Sequence, residues 1–215
     1  MVVSVQNVSK AYGTQQVLKH VSLQCEAGKI YGLIGRNGSG KTVLLRSICG
    51  LTRPDSGQIR VWDQVVGKDV DYPDNLGFII EAPGFLPQES ALRNLRHLAS
   101  IRGKIGLPQV KDSLRLVGLD PEDPKHVGKF SLGMRQRLGI AQAIMEDPDL
   151  LILDEPMNGL DNQGVAHIRQ VLLELKGKGK TIVLASHFME DIAFLCDEVY
   201  RMDAGVLTKA EEKEH

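Results

Sequence analysis

The sequence predicts an α/β fold in which a mostly parallel sheet is flanked by helices, joined by an antiparallel β side sheet and interrupted by a helical insert. Three observations carry this. The runs LLILDEP and TIVLAS are short and nearly all apolar, and the helical pattern VAHIRQVLLELKG lies between them; strands buried on both faces and linked by a helical crossover read this way. Between Val2 and Ile34 the apolar residues instead alternate or form short runs between turns, the punctuation of strands. From Pro83 to Ala143 the composition shifts to helix formers broken by Pro and Gly, which marks the insert.

The elements follow in order. VVSVQNVSKAYG and VLKHVSLQCEAG open a small antiparallel sheet. Lys29 to Ile34 is a strand that runs into GRNGSGKT, and TVLLRSICGL continues as a helix with Leu44, Leu45 and Ile48 on one side and a stop at Gly50. The insert holds ESALRNLRHLASIRG, LPQVKDSLRLVGLD and SLGMRQRLGIAQAIM. VYRMDAGVLTKAEEKEH closes the chain with a hairpin around Asp203 to Gly205 and a charged tail. One domain therefore spans 1–215, with a core at 1–82 and 144–215 and a helical subdomain at 83–143.

With 215 residues, 42% hydrophobic and 25% charged, the chain has ordinary globular composition, which excludes disordered, collagenous and low-complexity classes. Its 26 Lys and Arg against 27 Asp and Glu give a net charge of -1, so no global positive field draws it to nucleic acid or anionic lipid. Cys25, Cys49 and Cys196 form no CxxC pair, which argues against a disulfide framework or thiolate metal site and fits a reducing compartment. No stretch approaches the ~18 apolar residues of a membrane helix, and no secretory leader pattern opens the chain.

Gly35-Arg36-Asn37-Gly38-Ser39-Gly40-Lys41-Thr42 matches G-x-x-x-x-G-K-[ST]. In that pattern backbone N–H groups wrap phosphate oxygens, Lys adds a point charge and the Thr hydroxyl is left for Mg²⁺. Leu150 to Leu153 runs into Asp154 and Glu155; successive strand side chains face opposite ways, so the two acids can hold different tasks. Asp154 is placed to hold Mg²⁺ beside Thr42, and Glu155 to orient or deprotonate the water that attacks the γ-phosphate. Ser131 suits the cap of the helix running on from Gly133, whose buried stripe is Met134, Leu138, Ala141 and Met145.

Phe130-Ser131-Leu132-Gly133-Met134-Arg135-Gln136-Arg137, just upstream of the acidic strand, resembles the signature segment of ABC ATPases. Over the whole chain Tyr12, the glycine loop, this segment, Asp154-Glu155, Asn158-Gly159-Leu160-Asp161 and His187 occur in that family's order. The resemblance implies a P-loop NTPase core and an ATP-hydrolysing subunit, cytoplasmic and peripheral on the inner face of the cell membrane. Such a subunit powers transport through a separate multi-span membrane permease and pairs with a second ATPase subunit, the two chains sandwiching two ATP molecules.

It implies further that Tyr12 stacks on adenine, its alternative being sheet packing. Gly35, Asn37, Gly38, Ser39, Gly40, Lys41 and Thr42 would bind the nucleotide, and Thr42, Asp154 and Glu81 the Mg²⁺. Glu155 and His187 would be catalytic, while Ser131, Gly133 and Met134 would face the ATP of the other chain. Asp161 would line the dimer interface, and it can equally cap the helix containing Val165 to Leu175. His20, His97, His126, His167 and His215 show no ligand spacing.

The sequence departs from the common family pattern in carrying Glu81 where glutamine is usual, and Leu132 and Met134 where a glycine and a glutamine are usual. SLGMRQRLGIA with IIEAPGF is similar to an exporter branch that includes bacteriocin and peptide-antibiotic self-protection systems and multidrug exporters, which implies export of a drug, peptide antibiotic or similar amphiphile. Phe85 and Leu86, beside two prolines, can form an apolar surface for the membrane subunit or fold onto the insert. Lys176, Lys178 and Lys180 read as a solvated turn. A soluble relative acting on ribosomes or nucleic acid would carry tandem cassettes, long heptad arms or a basic face, and none is present. A non-hydrolysing regulatory subunit is suggested by the departures and opposed by Glu155 and His187.

Overall fold

The computed structural model describes residues 1–81 and 84–210. Ala82 and Pro83, where the sequence reading places the border of the insert, and the charged tail at 211–215 with His215 lie outside the described residues. In chain order the elements are β1 (Val3–Tyr12), β2 (Gln15–Cys25), β3 (Ile30–Ile34), α1 (Lys41–Ile48), β4 (Ser56–Val61), β5 (Gln64–Val65) and β6 (Leu76–Ile79). There follow α2 (Ala91–Arg102), α3 (Leu107–Leu116), α4 (Leu132–Ile144), β7 (Leu150–Asp154), α5 (Asn162–Gly177), β8 (Thr181–Ala185), α6 (Met189–Leu195), β9 (Glu198–Asp203) and β10 (Val206–Lys209).

Two sheets form, ordered β2-β1-β4-β5 and β10-β9-β3-β8-β7-β6. The first is antiparallel throughout. In the second, β9, β3, β8, β7 and β6 are parallel and β10 returns antiparallel to β9. Alternation sends neighbouring strand residues to opposite faces, and the larger sheet buries both. Ile30, Leu151, Leu153, Ile182 and Leu184 join the interior beneath α2 to α6. Tyr31, Leu33, Leu150, Ile152 and Val183 join a second interior with α1 and the antiparallel strands. The helical insert is held to the edge strand by a close approach: a Cβ on Gly77 would stand 1.9 Å from the Ala143 carbonyl oxygen.

Phe85 packs partly buried against the interior under the insert, whereas Leu86 is exposed and its backbone is pinned by the Asn94 amide through bonds of 2.8 and 3.1 Å. The basic turn is solvated at Lys178 but not at the two flanking lysines. Lys180 is buried, with Nζ 2.9 Å from both Asp147 and Asp149, and Lys176 pairs with Asp197. Two strand ends bring carboxylates to this turn, which a charge count along the sequence does not reveal.

Candidate nucleotide site

Ligands of open parallel sheets gather at the carboxyl ends of the strands. Here β3 ends in the glycine loop and β7 ends in Asp154. Gly40 adopts φ +114°, and a Cβ there would lie 2.7 Å from the Val17 carbonyl oxygen, so only glycine lets the loop lie against β2. Gly40 precedes α1 and offers no side-chain cap, which leaves the first amides of the helix and its positive dipole end for an anion. Asn37 to Val43, Val17, Asp154 and Glu155 line a cleft of about 270 Å³.

Inside it, Lys41 is 5% exposed and its Nζ donates to the carbonyl oxygens of Gly35 (2.7 Å) and Arg36 (3.3 Å). The buried Ser39 hydroxyl is without a partner among the described residues, an orphan that calls for an acceptor or donor from a bound molecule. Thr42 Oγ1 donates to Asp154 Oδ2 at 2.6 Å. Burial pushes the Asp154 carboxyl above its ordinary range, and the charges of Glu155 and Glu81 add to the rise, while the Thr42 bond and Lys41 oppose it.

Glu155 leaves the strand with φ +50°, and its N–H bonds the Ala185 carbonyl at 2.9 Å. Its Oε2 lies 2.8 Å from His187 Nδ1 and accepts the His187 backbone N–H at 3.3 Å. The Phe188 ring stacks obliquely on the imidazole at 4.0 Å. Glu81, with φ +63°, turns its carboxylate to Arg46 at 3.0 Å; it is felt by Asp154 as charge but makes its ion pair with α1. Tyr12 is 51% exposed at the end of β1, with Lys10 Nζ 5.5 Å from its ring centre, so it is not packed into the sheet.

A second cleft of about 500 Å³ is lined by Ser131, Leu132, Gly133, Met134, Arg137 and the 159–161 loop. The Ser131 hydroxyl caps α4 by accepting the Met134 N–H at 3.1 Å, and Asp161 caps α5 through the Gly164 N–H at 2.8 Å. Exposed Leu132 lies against Gly159, where a Cβ would come within 2.4 Å of it. Sequence reasoning missed Val17, whose role as a wall of the first cleft depends on sheet register, and the bonding of Gln136, which stands inside the quoted segment with nothing in its spacing to single it out.

A glycine loop between a strand and a helix, facing a Thr–Asp contact at a second strand end, is the nucleotide-binding arrangement of a P-loop NTPase of α/β architecture. The chain belongs to the ABC transporter family, whose sequence model, described as "ABC transporter", matches residues 18–158. It is 44% identical over 210 residues to the uncharacterized ABC transporter ATP-binding protein YybJ of Bacillus subtilis (strain 168), covering 98% of this chain and 96% of the relative. It is 40% identical over 210 residues to the bacitracin transport ATP-binding protein BcrA of Enterococcus faecalis, covering 97% of this chain and 68% of the relative. A solved structure described as the ATP binding subunit of an ABC transporter superimposes with TM-score 0.88 at 28% identity, covering 99% of this chain and 90% of that one. Among the described residues no helix is long and apolar enough to cross a membrane.

Proposed function

We propose that this chain is the ATP-hydrolysing motor of an exporter for a peptide antibiotic or similar amphiphile, driving a separate multi-span membrane permease from the cytoplasmic face. The observation that supports this most is that two half-sites sit apart on one chain. The cleft at Lys41 and Thr42 and the cleft at Ser131 and Gly133 share no lining residue. A second copy, or a second ATPase subunit, brings its Ser131, Gly133 and Met134 to the nucleotide held at Lys41, with Asp161 at the seam. The cargo class is carried over from the resemblance to the bacitracin transport protein.

In this reading Lys41 exchanges the Gly35 and Arg36 carbonyls for phosphate oxygens, with the 35–40 loop amides and the Ser39 hydroxyl completing the cradle. Tyr12 offers its open ring face to adenine. The Thr42 hydroxyl and the Asp154 carboxylate, whose charge burial disfavours, fit Mg²⁺, a hard cation that takes oxygen ligands. Glu81 reaches the same ion only by leaving Arg46. When bound, Mg²⁺ supplies neutralisation of the β- and γ-phosphate charge. Glu155, steadied by His187, orients or deprotonates the attacking water, and His187 donates a hydrogen bond toward the γ-phosphate. Residues 83–143 act as the helical subdomain set between the two parts of the catalytic core.

The test is to tag the Glu155→Gln variant, load it with ATP and Mg²⁺ in its own cells and identify what co-purifies from detergent-solubilised membranes. A partner with several membrane spans is expected. Recovery only as a soluble dimer, or with ribosomes, would overturn the transport reading, and a Lys41→Ala chain with undiminished ATP affinity would overturn the nucleotide site.

A further inference from the structure

Glu155 holds a left-handed backbone, φ +50°. A residue with a side chain keeps such a conformation only where its surroundings over-determine it, and such residues cluster where function requires an aim. The end of β8 holds Glu155 through the Ala185 carbonyl, which accepts its N–H at 2.9 Å, and through His187, whose Nδ1 lies 2.8 Å from its carboxylate, while its own carbonyl accepts the Asn158 N–H at 3.1 Å. A further tie comes from the helical insert. Gln136, in the second turn of α4, donates from Nε2 to the Glu155 carbonyl at 3.1 Å and to the Pro156 carbonyl at 3.2 Å. A side-chain amide nitrogen has two hydrogens, and both are spent on consecutive carbonyls of this one turn.

The same helix is locked to the segment that follows. A Cβ on Gly133 would stand 2.8 Å from the Gly159 carbonyl oxygen, and Leu132 fills the notch that Gly159 leaves. The first turn of α4 and the 155–160 segment therefore behave as one packed body, with the Gln136 amide as its hydrogen-bonded end.

We propose that Gln136 is a positioning residue for Glu155: its paired bonds hold the 155–156 turn that aims the Glu155 carboxylate, and they join that aim to the helix whose N-terminus lines the second cleft. A nucleotide closing on Ser131 and Gly133 then bears on Glu155 of the same chain through the Gln136 amide at the end of this packed body. This inference rests on the reading of Glu155 as the hydrolytic carboxylate.

The experiment compares phosphate release, equilibrium ATP binding and thermal melting of the full chain with those of Gln136→Leu, Gln136→Glu and Glu155→Gln. Glutamate has the shape of glutamine and, when ionised, nothing to donate. Both Gln136 variants should lose about tenfold or more in kcat, since small misplacements of reacting groups cost this much. Their ATP affinity should stay within about twofold and their melting temperatures close to wild type. A folded Gln136 variant with near wild-type kcat overturns the proposal, as does an equal loss of kcat and ATP affinity. Failure of both variants to fold overturns it too, because the amide would then be structural. A Glu155→Gln chain that keeps turning over removes the underlying reading, and is recognisable as that whatever happens at position 136.

Discussion

Asp154 ends β7 partly buried and, among the described residues, forms no ion pair: Lys41 gives its amine to the Gly35 and Arg36 carbonyls, and the Thr42 hydroxyl donates to the carboxylate. Burial, followed by the charges of Glu155 and Glu81, raises its pKa. The folded chain thus holds this proton more tightly than the unfolded chain. Stability is undiminished at pH below the ordinary carboxylate value and is lost as pH rises toward and through the raised folded value. Asp154→Asn keeps an acceptor for Thr42 and removes the charge, so the nucleotide-free variant should be the more stable protein at neutral pH. Because the group is only partly buried, the gain is discounted to about 1 kcal/mol, or about 2–4 °C in melting temperature for a chain of this size. Calorimetric melts from pH 4 to 8 should show the gap between variant and wild type opening as pH rises. With Mg²⁺ and ATP at about one hundred times Kd, wild type should gain about 2.7 kcal/mol, the variant far less, and phosphate release by the variant should collapse. A variant that melts below wild type throughout, or that still hydrolyses ATP at the wild-type rate, refutes the reasoning.

Gly77→Ala forces a methyl to within 1.9 Å of the Ala143 carbonyl oxygen, so α4 must shift off β6; urea denaturation should report a loss of about 3 kcal/mol, and an unchanged midpoint would contradict the packing. Asp55 accepts from Lys10 Nζ and from the Ala11 N–H, both at 2.7 Å, immediately before Tyr12. Asp55→Ala should therefore weaken ATP binding about two- to fivefold while leaving inorganic tripolyphosphate binding unchanged, and titration calorimetry with both ligands separates an effect at the base from one at the phosphates.

The elements that the sequence made legible are those specified locally. The glycine loop is set by backbone conformations that few residues tolerate, β7 and β8 by apolar runs between polar turns, and the caps Ser131 and Asp161 by their place ahead of helical periodicity. What escaped was set by register and topology. Val17 reaches the phosphate cleft only because β2 passes beside Gly40. Lys180 is buried because Asp147 and Asp149 enter β7 next to it. Glu81 was read as an oxygen ligand from its place in the chain, yet Arg46, which comes to it from α1, decides where its carboxylate points. Gln136 stood in plain view, and its two carbonyl partners lie 19 and 20 residues away.

The larger sheet also acts as a partition. The phosphate loop, α1 and the antiparallel strands draw their solidity from the interior on one side of it, and the insert with the Ser131 helix draws its own from the other. Damage on the two sides should therefore produce different illnesses of the machine: loosened residues on the first side let the fuel escape, whereas loosened residues on the second leave the fuel held and disengage the clutch.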